Sequence, residues 1–172
     1  MSKKKNNVRQ LVTLAICVSL AMVLSYVETL IPVFVPIPGV KIGLANIATV
    51  FALYTLGGWQ ACTVSFVRVC LSGLLFGNAV GFIYSLSGAV LSLAVMLLLS
   101  MIKKLSPIGV SVAGGVMHNA GQILAAMLVM RTAEIIAYLP VLIISGTIAG
   151  IVIGIAAGIL TVSLKKVVHK QK

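Results

Sequence analysis

Acidic residues are almost missing from this chain: among 172 residues there is no aspartate and there are two glutamates, Glu28 and Glu134. Without aspartate there is no Asp-rich site for magnesium and a prenyl diphosphate. No nucleophile–base–acid set stands out and no Walker lysine motif is present, so catalysis would fall to two glutamates, two histidines and hydroxyls. The expectation is a chain that is not an enzyme and carries no cofactor. Charge of either sign is scarce as well. Charged residues make up 9% of the chain against 60% hydrophobic, where soluble domains carry about a quarter charged residues. That excludes a soluble enzyme, a disordered tail and a secreted disulfide scaffold. Cysteine is sparse too: Cys17, Cys62 and Cys70 all lie in apolar runs without CxxC spacing, which reads as small buried hydrophobes. With His118 and the tail residue His169 as the only histidines, no metal site is expected.

What is abundant is apolar sequence in lengths that cross a bilayer. A hydrocarbon core of about 30 Å needs about 20 apolar residues per helix, and the chain supplies six stretches in one integral membrane domain over residues 1–172. The first covers about 8–30 and is read as a retained helix, not a signal peptide, because no Ala-x-Ala-like site follows it. It stops at Pro32, Pro36, Pro38 and Gly39. A short second span covers about 42–56 and ends at Gly57-Gly58. The third, about 59–76, opens on Trp59, an interfacial aromatic, and breaks at Gly77-Asn78. The fourth covers about 80–102, the fifth about 108–130 after Ser106-Pro107, and the sixth about 140–164 after an amphipathic connector. The fold class is an all-α membrane protein, a bundle of six transmembrane helices.

Thirteen lysines and arginines give a formal charge of +11. On a soluble chain that excess would suggest nucleic acid. Here the cations flank apolar runs: Lys3, Lys4, Lys5 and Arg9 before span one, Lys103 and Lys104 between spans four and five, and Lys165, Lys166, Lys170 and Lys172 at the end. Ten of the thirteen thus fall on one side of a six-span bundle, which places both termini in the cytoplasm. The other side holds Lys41 and Arg131, and Arg68 lies within span three.

Helices in lipid associate through small residues that let backbones approach. Gly146, Gly150, Gly154 and Gly158 form such a ladder in span six and predict a helix seam. Span one carries Cys17, Ala21 and Ser25 in one ladder and Ala15 and Ser19 on a neighbouring stripe. Ala15, Ser19, Ala21 and Ser25 fit either internal packing or a docking face for another membrane protein.

Polar groups at membrane depth need partners. Arg68 can pair with Glu28 as a structural tie, or receive an anionic ligand from outside, alone or with Lys41 and Arg131. His118, Asn119 and Gln122 fall within one turn of span five, with His118 and Gln122 on one face. They read as interhelical glue or as a ligand-binding or proton-handling face. Asn46 in span two and Asn78 at the 3–4 turn suit binding or capping about equally. Tyr84 and Tyr138 are candidate aromatic walls for an apolar ligand portion.

Leu24-Ser-Tyr-Val-Glu28, Lys41-Ile-Gly-Leu-Ala-Asn46, Arg68 and His118-Asn119 together resemble the Gx transporter family, a group often labelled heptaprenyl diphosphate synthase component I. The resemblance covers nearly the whole chain. It implies the substrate-binding S component of an energy-coupling factor importer in the cell membrane. Such a subunit captures a small vitamin-like, quinone- or isoprenoid-precursor molecule from outside. The implied partners are a transmembrane coupling protein and two cytoplasmic ATPases. The family's Ala-xxx-Ala docking motif is matched loosely, by Ala15-xxx-Ser19 and Ala21-xxx-Ser25. The alternative is a non-catalytic membrane subunit associated with heptaprenyl diphosphate synthase or menaquinone biosynthesis.

Overall fold

The computed structural model describes residues 2–30, 43–102 and 104–170, with side chains over 8–30, 43–102 and 104–163. Among them the architecture is all-helical: α1 (Ser2–Leu30), α2 (Asn46–Thr55), α3 (Gly58–Phe76), α4 (Ala79–Ser100), α5 (Pro107–Met130) and α6 (Leu139–Lys170), with a 3-10 turn at Ala133–Tyr138 before α6. Five segments are long and apolar enough to cross a membrane, and α2 is a shorter apolar helix. The chain is built as a multi-pass membrane protein. At about 1.5 Å rise per residue, the ten residues of α2 span about 15 Å, half of a hydrocarbon core.

Local chemistry sets the helix ends. Asn78 Oδ1 accepts from Gly81 N at 2.7 Å and caps α4, while Ser106 Oγ accepts from Gly109 N at 3.1 Å and caps α5 ahead of Pro107. Both satisfy amides that a helix start leaves without partners. Between α2 and α3 the chain turns at Gly57, whose φ of 112° suits glycine. Trp59 at the start of α3 is 81% exposed, as a headgroup-level aromatic would be.

Packing is organised around α5, which lies extensively against α4 and α6, while α1, α2 and α3 form a second group that α2 links to α6 and α3 links to α4. The rings of Tyr26 and Phe76 stand 5.1 Å apart, so α1 and α3 end at the same level and run parallel. The α5–α6 seam uses the span-six glycines. A Cβ on Gly150 would lie 2.5 Å from Val112 Cα, one on Gly154 2.7 Å from Ile108 Cα, and one on Gly146 2.8 Å from the Gly115 carbonyl oxygen. Only glycine permits backbones this close.

Gly158, expected in the same ladder, corrects that reading. Nothing lies within 4 Å of a Cβ placed there, because α6 extends past the start of α5 and the helices part. Gly158 instead lines a groove of about 510 Å³ with Ser106, Pro107 and Ile159.

Candidate functional site

Helix geometry sorts the polar residues of each span into those facing protein and those facing outward. On α3, positions 65, 68 and 72 share one face; Ser65, Arg68 and Ser72 are all buried, and Arg68 is 3% exposed. On α1, Cys17, Ala21, Ser25 and Glu28 turn into the bundle, with Glu28 2% exposed.

Glu28 reaches the entrance of α2. Its Oε1 accepts from the backbone N–H of Gly43 and, at 3.3 Å, from that of Leu44. Gly43 has φ of 91°, a left-handed conformation that glycine adopts without a Cβ penalty. Successive amides in such a turn converge on one anion, and here the carboxylate of α1 supplies it. Glu28 also acts electrostatically on Arg68. The guanidinium itself leaves two donors open: Nε and Nη2 of Arg68 have no hydrogen-bond partner among the described residues.

From Gly43 the polar track continues to α5. A Cβ on Gly43 would lie 3.3 Å from Asn46 Nδ2 and 3.3 Å from His118 Cδ2, so the turn, the first residue of α2 and the middle of α5 are in contact. Gln122 Nε2 lies 2.9 Å from His118 Nε2. An amide nitrogen only donates, so His118 accepts there. Arg68, Glu28, the Gly43 turn, Asn46, His118 and Gln122 thus form one buried series crossing α3, α1, α2 and α5. On its far side His118 abuts α4, where a Cβ on Gly88 would lie 2.8 Å from the His118 carbonyl oxygen.

Other expected site residues lie elsewhere. Asn119 turns away from His118 and donates from Nδ2 to the Leu142 carbonyl at 2.6 Å, tying α5 to α6; the one-position offset from His118 rotates it about 100° around the helix. Tyr84 is buried in a separate apolar cluster with Ile123, Ala126, Ile135 and Leu142. Asn78 serves as the α4 cap and lines a groove of about 420 Å³ with Cys70, Gly73 and Phe82. Tyr138 ends the 3-10 turn and is exposed. Lys41 and the Pro-rich stretch before it lie outside the described residues.

The docking expectation needs a correction. Ala21 and Ser25 are 0% and 1% exposed and face the bundle, because they share the face that carries Cys17 and Glu28 inward. They present no surface to a second protein. Ala15 and Ser19, a stripe away, are exposed.

Sequence reasoning gave no role to Gly43 and Leu44, whose amides hold Glu28, or to Ser65 and Ser72 beside Arg68. The available signal was a glycine three residues before a short helix, and serines three before and four after an intramembrane arginine.

A family model described as heptaprenyl diphosphate synthase component I matches residues 17–160. The chain belongs to that family. No curated protein and no solved structure matches it significantly. Every member of the series from Glu28 to Gln122 falls within the matched stretch. The family description names a component of a synthase, and among the described residues no group of three or more His, Cys, Asp or Glu is placed to hold a metal ion.

Proposed function

We propose that this family member is the substrate-binding membrane subunit of an energy-coupling factor importer in the cell membrane. In this reading both termini are cytoplasmic and the chain captures a small amphipathic anion from outside. The observation that carries the reading is Arg68: a cation buried at membrane depth with two donors open. An arginine within a span is costly, and burying a charge without hydrogen bonds adds to that cost. Such a residue fits a receptor whose ligand completes it. A carboxylate or phosphate would gain charge-assisted hydrogen bonds from the guanidinium, and the apolar helix faces would hold a ring or isoprenoid portion. Glu28, His118 and Gln122 position the surrounding polar groups.

Work on the gradient would come from outside the chain, since it contains no nucleotide-binding motif. A transmembrane coupling protein and two cytoplasmic ATPases are the proposed partners. Uptake by a reconstituted complex tests this. Arg68→Ala should weaken ligand binding by about thirtyfold or more, the cost of truncating a buried hydrogen-bonded charge. Unchanged uptake and affinity would end the assignment.

The family description supports a second reading, a non-catalytic membrane subunit beside a prenyl diphosphate synthase. Affinity purification separates the two, since co-isolation of ATPases supports transport and co-isolation of a soluble synthase supports the alternative.

A further inference from the structure

We infer that the ligand of the Arg68 site is an apolar monocarboxylate and not a diphosphate, an assignment that rests on the ligand-binding reading above and narrows it. The first ground is the shape of the open donor set. Nε and Nη2 lie side by side on one edge of the planar guanidinium, and both are open. That edge matches two coplanar oxygens of one carboxylate in a bidentate contact.

The second ground is charge. Among the described residues Arg68 is the only buried lysine or arginine, and Glu28 is the only buried acid. Glu28 is fixed where it stands by the Gly43 and Leu44 amides, and its field reaches Arg68. With Glu28 acting on Arg68 the two buried charges already cancel, so each negative charge a ligand brings adds to the cost, and a monocarboxylate brings the fewest. The further charges of a diphosphate would be desolvated against Glu28 with no second buried cation among the described residues, and burial without a partner is what makes charges costly in a span. Diphosphates are commonly held through divalent cations on carboxylates, and the described residues offer no cluster of metal-ligating side chains.

The third ground is the surroundings. On the buried face of α3 the neighbours of Arg68 are Ser65 and Ser72, which are neutral, and Val64 and Val69, which are apolar. Ser72 Oγ donates within its own helix, to the Val69 carbonyl at 3.4 Å. A single charged head on an apolar body suits such a helix face.

The test uses the full-length chain in detergent micelles and three small probes at millimolar concentration: benzoate, its neutral analogue benzamide, and inorganic pyrophosphate. Benzoate should raise the thermal unfolding midpoint and bind at least about thirtyfold tighter than benzamide, as expected for a buried charge pair. Pyrophosphate should not shift the midpoint. Arg68→Gln should abolish the benzoate response, and Arg68→Lys should retain a reduced one, since an ammonium keeps the charge and loses the fork. If Arg68→Gln does not fold, the three-probe comparison on the unmodified chain decides. A pyrophosphate shift equal to or larger than that of benzoate would overturn the monocarboxylate assignment, and so would equal responses to benzoate and benzamide. A pyrophosphate response that depends on Arg68 would leave the ligand-binding reading standing. No Arg68-dependent response to either anion would defeat both.

Discussion

Gly43 carries more of the site than its size suggests. Its left-handed φ of 91° aims its amide at Glu28, and its missing side chain lets His118 and Asn46 close in. Gly43→Ala combines a disfavoured backbone with a crowded Cβ. It should cost about 1–3 kcal/mol, seen as a lower unfolding midpoint of the purified chain, and should weaken ligand binding as the turn and Glu28 shift. An unchanged midpoint would mean the turn relaxes freely. Arg68 was readable from sequence as an intramembrane cation needing a partner, and Glu28 as the nearest acid by elimination. What the linear order hid was the third participant. A backbone turn has no side-chain signature, so the pair of amides holding Glu28 emerged only when α1 and the start of α2 met in space. Asn119 shows the converse: adjacent in sequence to His118, it lies on another face of α5 and serves the α6 seam.

At the scale of elements, the glycine ladder of α6 divides in two. Gly150→Leu would drive a side chain into the backbone of Val112, 2.5 Å from the first added carbon. It should separate α5 from α6 and cost at least about 3 kcal/mol, beyond the usual range for overpacking because the obstacle is main chain. Gly158→Leu meets nothing within 4 Å and should leave the unfolding midpoint within about 0.5 kcal/mol of the unmodified chain, as surface changes usually do. Comparable losses at both positions would contradict the seam described. The spacing of four was legible in the sequence, but where α6 outruns α5 was not, because that depends on the length and tilt of both helices.

The first helix gives a second paired comparison. Ala21→Leu overpacks the interior, so it should lower stability and, with it, every activity. Ser19→Leu adds bulk on an exposed face, so on the proposed function it should leave the fold and ligand binding intact while weakening association with the coupling protein. Co-purification together with an unfolding curve distinguishes the two. Two small-residue stripes offset by two residues, about 160° around the helix, look equivalent in one dimension. Only the burial of Glu28 and Cys17 shows which one turns inward.

Across the whole molecule, apolar composition and punctuation by Pro, Gly and paired lysines specify an all-helical membrane chain, because lipid permits few other ways to satisfy backbone polar groups. The short α2 is the exception that matters. It covers half a bilayer and leaves its first turn beside the middle of α5, where Glu28, Asn46, His118 and Gln122 gather. On the proposed function both ends of the chain are cytoplasmic, the orientation that the positive-inside rule favours for these cations. A reporter fused after Lys172 should therefore read as cytoplasmic, and one inserted at the Gly77-Asn78 turn as external; the reverse pattern would remove the outward-facing receptor.

The most direct test of that receptor is mass spectrometry of the small molecules released from the full-length chain purified gently from its own membranes, set beside the Arg68→Gln chain prepared identically. The account predicts an anionic amphipathic molecule carried by the unmodified chain and lost from the variant. The same molecule in both preparations at equal occupancy would contradict it.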